Sequence, residues 1–185
     1  MKKIILASKS PRRKMLLEWA EIPFEVRVEE TAEEIPENTR PEDVPVIIAR
    51  QKAHAIKKLP QEIVLAADTI VVLNEEIIGK PSDAVHAKEI LKKLSGNLHR
   101  VITGVVIMNG KKEISFSDVT EVMFHELTDE QINFYIDKYK PYDKAGAYAI
   151  QEWIGVTGIK KINGDFYNVM GLPVSRVVKT LRELE

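Results

Sequence analysis

Apolar residues along this chain fall into short runs and helical stripes, and polar residues mark the breaks. Ile4 to Ala7 is a four-residue apolar run between polar neighbours and predicts a buried strand. Ser10-Pro11 then reads as a helix start, with Ser at the N-cap and Pro at the first helical position. Met15, Leu16, Leu17, Trp19 and Ala20 supply that helix with an apolar face. Phe24 to Val28 alternates and predicts a second strand. Residues 29–45 carry seven acids and three prolines, a loop leading into a helix from about Pro41 to Lys58.

The most apolar stretch runs from Glu62 to Leu73, interrupted only by Asp68-Thr69, and predicts a central strand. Asn74-Glu75-Glu76 looks like a hairpin turn. Ser82-Asp83 caps a helix through Leu94, closed by Gly96. Leu98 to Met108 and Lys112 to Phe124 form a hairpin about Asn109-Gly110. Thr128 starts a helix through Tyr139, and Asp143 to Gln151 is a short helix or irregular segment. Asn163-Gly164 is a turn before a short strand near Phe166, and Pro173 to Leu184 is a closing amphipathic helix. This mixture argues an α/β fold with a mixed sheet.

Length and composition narrow the function more than the fold. At 185 residues the chain suits a single domain, 1–185, or one domain with two lobes. The absence of cysteine excludes disulfides, thiolate zinc sites and cysteine nucleophiles. A net charge of −1 argues against a protein built to hold nucleic acid. The apolar run at the start is too short for a signal peptide, and no stretch has the length of a membrane span. A cytoplasmic protein is expected.

Ser8-Lys9-Ser10-Pro11-Arg12-Arg13 is the first candidate for chemistry. A helix N-terminus offers unpaired N–H groups and partial positive charge, and arginine forks match phosphate oxygens in pairs. Capping explains Ser10 and Pro11, but it leaves three clustered cations at the end of the helix where the dipole disfavours them. The segment reads as an anion site, or as a capped surface helix with solvated arginines. Asp68 lies inside an apolar strand, where a carboxylate is costly unless paired or bound to metal. It reads as a metal ligand or general base, or as a strand-end acid capping a turn. Glu33-Glu34 offers a second carboxylate for Mg²⁺, or a solvated acidic loop. Lys80, between Gly79 and Pro81, and Lys52 are weaker phosphate candidates, since most such lysines face water. The small residues of Lys144 to Gln151 suit tight packing better than a ligand. The four histidines show no metal-ligand spacing, and no P-loop, G-x-G-x-x-G or G-x-S-x-G motif occurs.

Taken in order, several segments resemble the Maf family of nucleoside triphosphate pyrophosphatases. They are Leu6 to Arg13, Ala49-Arg50-Gln51-Lys52-Ala53, Ala67 to Val71, Gly79-Lys80-Pro81, Leu94-Ser95-Gly96, Lys144 to Gln151, and Asn168 to Pro173. The resemblance implies an elongated, twisted mixed sheet flanked by helices, with two lobes around a deep cleft, similar to inosine triphosphate pyrophosphatases. It implies cleavage of a nucleoside triphosphate to the monophosphate and pyrophosphate, with Mg²⁺ or Mn²⁺ as cofactor. The family's catalytic aspartate falls on Asp68, which would share the metal with Glu33 or Glu34. Ser10, Arg12, Arg13, Lys52 and Lys80 would hold phosphates. Arg12, Thr69 and Gln151 fall on specificity positions, and Thr69 and Gln151 resemble the branch acting on dTTP and UTP. The resemblance also implies a homodimer. Two rivals remain: a house-cleaning hydrolase of modified pyrimidine nucleotides, and a non-enzymatic regulator of septum formation acting through a protein partner.

Overall fold

The computed structural model describes residues 2–184. It is a mixed α/β fold on a seven-stranded sheet of order β2-β1-β3-β5-β6-β7, with β4 paired to β3. The elements run β1 (Lys3–Leu6), α1 (Pro11–Trp19), β2 (Phe24–Val26), α2 (Val44–Ala55), β3 (Glu62–Leu73) and β4 (Glu76–Ile78). There follow α3 (Ala84–Leu94), β5 (Leu98–Asn109), β6 (Lys112–Phe124), α4 (Asp129–Tyr139) and a 3-10 turn (Ala145–Ala147). The chain ends with α5 (Trp153–Gly158), β7 (Ile159–Asn163), α6 (Phe166–Met170) and α7 (Val174–Arg182). No helix among the described residues is long and apolar enough to cross a membrane.

Contacts divide the chain into two compact units. The first comprises 1–69, 103–118 and 171–185, and the second 70–102 and 119–170.

In the first unit, β1 pairs in parallel with both β2 and β3, with Ile5 opposite Val64 and Leu6 opposite Leu65. Strand side chains alternate between faces. Ile5, Val64, Ala66 and Val106 therefore share one face, and they pack with Ala49, Ala53 and Ile56 of α2 and its end. A Cβ on Gly104 would lie 2.3 Å from the backbone of Pro45, so only glycine lets β5 meet the start of α2. The opposite face carries Leu65, Ala67 and Thr69, and α1 meets it where Arg13 bonds to Thr69.

That arrangement explains a departure from expectation in α1. Arg13, Leu16 and Leu17 are its buried residues, an i, i+3, i+4 stripe. Trp19 stands two positions past Leu17, turned to the far side, and is 60% exposed. Ser10 occupies the N-cap position, but its side chain makes no capping hydrogen bond.

In the second unit, Asn74 and Glu75 both adopt left-handed φ (48° and 64°) in the two-residue turn joining β3 to β4. Asp83 caps α3 by accepting from the His86 N–H. Thr128 and Gln131 form a capping box on α4. The strand expected near Phe166 is instead helix α6, and the strand lies before the Asn163-Gly164 turn, as β7. β7 pairs antiparallel with β6 across Val122 and Ile162, and this cross-strand partner decides the conformation. Helix α5 has no cap hydrogen bond to betray it in the sequence. Gly155 explains its tight approach, because a Cβ there would lie 1.7 Å from the Ile150 carbonyl oxygen.

Candidate active site

The order β2-β1-β3 means that the chain leaves β1 toward one side and later returns on the other. Helices α1 and α2 consequently cover opposite faces. In open α/β sheets the carboxyl ends of strands at such a reversal form the usual ligand crevice. Here Ser8 to Arg13 follow the carboxyl end of β1, and Asp68-Thr69 lie in the middle of the adjoining β3, just past its last pair with β1, Leu65 opposite Leu6.

Asp68 continues the Val64–Ala66 series, so it faces α2. The Lys52 ammonium of α2 lies 2.7 Å from Asp68 Oδ1 and 2.9 Å from Glu33 Oε1. The lysine is one turn beyond Ile48 on the inward face, with a 21% exposed side chain. Asp68 is 18% exposed and Glu33 49%. Glu33 adopts a left-handed φ of 51°, an unusual conformation for a residue with a side chain. Of Glu33 and Glu34, Glu33 is the one that reaches the Asp68 lysine, while Glu34 offers its backbone carbonyl to the Gln51 amide.

Two carboxylates converging on one cation are a donor set that suits Mg²⁺ or Mn²⁺, which take one or two carboxylates and complete their shell with water and phosphate. Among the described residues no group of three or more His, Cys, Asp or Glu is arranged to hold a metal without such help.

Thr69 points the other way. Its Oγ1 accepts from Arg13 Nη2 at 3.0 Å and lies 2.9 Å from Thr103 Oγ1. The same guanidinium donates Nε to the Gly171 carbonyl at 2.8 Å and Nη1 to Ser8 Oγ at 3.1 Å. Arg13 is 8% exposed. Burial pulls its guanidinium below the usual arginine range, the Asp68 charge acts in the opposite direction, and Arg12 adds to the lowering. All three guanidinium nitrogens thus bond to neutral groups of the protein. Ser8 is itself buried and also accepts the Ser10 N–H at 3.2 Å. Arg12 and Ser10 are half-buried beside this network.

Lys80 and Gln151 belong to the second unit. Lys80 is exposed after β4. Gln151 Oε1 is buried with no hydrogen-bond partner, an acceptor that a ligand donor would satisfy. Its neighbours are anchored. The Tyr135 hydroxyl donates to the Glu152 carboxylate and accepts the Ala149 N–H, and Lys144 lies 3.6 Å from Glu152. The small residues before Gln151 are packing, as expected: Gly146 sits under Val71, where a Cβ would lie 3.0 Å from Cγ2.

Sequence reasoning passed over Thr103, Tyr135 and Glu152. Thr103 had a signal, since it interrupts the apolar β5 run Val101-Ile102…Val105-Val106 as Asp68-Thr69 interrupts β3. The partners of Tyr135 and Glu152 are distant in sequence, and nothing local marks them.

A family model described as Maf-like protein matches residues 3–184. The chain is 52% identical over 182 residues to the dTTP/UTP pyrophosphatase of Cytophaga hutchinsonii, covering 98% of this chain and 84% of that protein. It is 49% identical over 183 residues to the dTTP/UTP pyrophosphatase of Parabacteroides distasonis, covering 97% and 95%. With the dTTP/UTP pyrophosphatase of Bacillus cytotoxicus it shares 50% identity over 186 residues, covering 100% and 97%. Among solved structures, it is similar to a nucleoside-triphosphatase / dITP/XTP pyrophosphatase from Mycobacterium abscessus at a TM-score of 0.45 and 15% identity, covering 97% and 93%. That last likeness is too loose to bear on chemistry.

Proposed function

The chain belongs to the Maf family, and from that premise we propose that it is a nucleoside triphosphate pyrophosphatase hydrolysing dTTP and UTP to the monophosphate and pyrophosphate. Modified pyrimidine triphosphates are natural further substrates for the same site. The observation that best supports the reading is the convergence of Asp68, in the middle of β3 just past its pairing with β1, on Lys52 of α2, which Glu33 also reaches.

In this reading the triphosphate lies against the start of α1, where Ser10, Arg12 and the backbone N–H groups face it. Arg13 adds a buried positive charge that no carboxylate neutralises by direct contact, so its field reaches the phosphates. Lys52 takes up phosphate charge. Asp68 orients a water toward the α-phosphorus and accepts its proton; the bond from the α-phosphorus to the bridging oxygen breaks, and pyrophosphate leaves. Asp68 and Glu33 are the residues that would hold a divalent cation, which when bound offsets charge on the phosphate oxygens. Thr69 reads the base through its hydroxyl, and in the second unit the unpaired Gln151 Oε1 is an acceptor that a ligand N–H would satisfy. We place this activity in the cytoplasm.

The test is to incubate the pure chain with Mg²⁺ or Mn²⁺ and a panel of canonical and modified triphosphates, and to measure pyrophosphate. Release fastest from dTTP and UTP is expected. No release from any triphosphate overturns the reading.

A further inference from the structure

The Thr69 hydroxyl meets three groups: Arg13 Nη2, Thr103 Oγ1 and, at 3.5 Å, the Gly171 carbonyl. A hydroxyl has one proton and two acceptor positions. Arg13 is a permanent donor and fills one acceptor position; with the hydroxyl proton given to Thr103 Oγ1 or to the Gly171 carbonyl, the second acceptor position stays open. Thr103 is completely buried, whereas Thr69 is half-buried and keeps one side open. The network therefore runs from a dry, fixed interior to one partly accessible oxygen. A buried threonine hydroxyl in an apolar strand is costly when it lacks a partner. The bland account is a core threonine satisfied by whatever is near. That account leaves the geometry unused: the neighbour of Thr103 is the oxygen assigned to base reading, and that oxygen is also tied to Arg13 and Gly171.

We propose that Thr103, with Arg13 and the Gly171 carbonyl, is a positioning residue for substrate selectivity, which holds the Thr69 hydroxyl in one orientation toward the base. This rests on the reading of the chain as a dTTP/UTP pyrophosphatase. It also gives the Asn168–Pro173 segment a task, because Gly171 delivers its carbonyl from a φ of 116°, which only glycine adopts easily. Arg13 then serves the site from behind the hydroxyl and does not itself grip a phosphate.

The test compares the wild-type chain with Thr103→Val, Thr103→Cys and Thr103→Ser. The quantity is the ratio of kcat/KM for dTTP to that for CTP and for GTP, with Tm measured in parallel. Thr103→Val removes the hydroxyl at nearly constant shape, and the ratio is expected to fall roughly 3- to 10-fold, the worth of one hydrogen bond. Thr103→Cys, a weak hydrogen-bonding group, shifts the ratio the same way and serves where valine impairs folding. Thr103→Ser restores the ratio. An unchanged ratio in both Thr103→Val and Thr103→Cys overturns the proposal. So does an equal loss of kcat/KM for every triphosphate, which marks a merely structural role. A wild-type chain that releases no pyrophosphate from dTTP or UTP overturns the underlying reading, and the positioning role falls with it.

Discussion

Asp68 and Thr69 are neighbours on β3, yet Asp68 meets a lysine that it shares with Glu33 in a partly wet setting, while Thr69 meets an arginine, a threonine and a carbonyl in a drier one. Strand alternation alone puts them on opposite faces. The contrast lies in what balances the cation. Lys52 sits between two carboxylates, so its charge is already neutralised and can be redistributed when phosphate or metal arrives. Arg13 touches only neutral acceptors, so its charge remains and its fork is committed to geometry. Two basic residues that look alike in the sequence are thus a charge partner in one case and a scaffold in the other.

The sharpest way to break this comparison is Asp68→Asn. If the α2 side carries chemistry, kcat falls by about 10²- to 10⁴-fold, the usual worth of a general base, while circular dichroism and Tm stay near wild type. Near-normal turnover removes Asp68 from the reaction.

The converse substitution is Arg13→Lys. One ammonium cannot reach Gly171 O, Ser8 Oγ and Thr69 Oγ1 together, so the variant is expected to lose about 2–3 kcal/mol of stability. Urea unfolding tests this as a lower midpoint at constant m. A variant that keeps its stability but loses phosphate affinity would make Arg13 a ligand instead of a scaffold.

A dry polar group in the second unit supplies a control. His99 is buried between Phe124 and Tyr148, and its Nε2 lies 2.8 Å from the Tyr148 hydroxyl. Burial pushes its pKa down from 6.5 to about 4. Its folded-state pKa lies below the unfolded one, so the unfolded chain binds more protons between these values. The neutral ring's contribution is full above pH 6.5 and is lost as pH falls toward 4, on the order of 2–3 kcal/mol. His99→Phe should flatten the stability profile in that window, and an unaltered slope would show that other groups cause it.

The smallest effect is expected from Glu33→Gln. Glu33 is half-exposed, so stability should change by less than about 0.5 kcal/mol. The Mg²⁺ concentration for half-maximal activity should rise, about tenfold at most. No change in the metal titration would leave Asp68 as the sole carboxylate on that side of the site.

Much of the fold was legible because it is encoded locally. The Ile4 and Glu62 runs, the Asn74-Glu75 turn, the Asp83 cap and the Thr128 box each use side chains within a few residues. The errors share one cause. Phe166–Met170 and Trp19 were misplaced because burial and pairing with distant elements override local pattern.

By itself, the sequence determined that this is an α/β protein with an acid in an apolar strand and a basic helix start after the first strand. Its ordered motifs also pointed to the family. Only the tertiary structure decided which basic residue meets which partner. It put Lys52 between Asp68 and Glu33, turned Arg13 inward onto Thr69 and Gly171, and brought Thr103 beneath the hydroxyl of Thr69. The reason is geometric: these contacts join residues 16 to 158 positions apart, and only the strand order β2-β1-β3-β5 brings such residues within a hydrogen bond of one another.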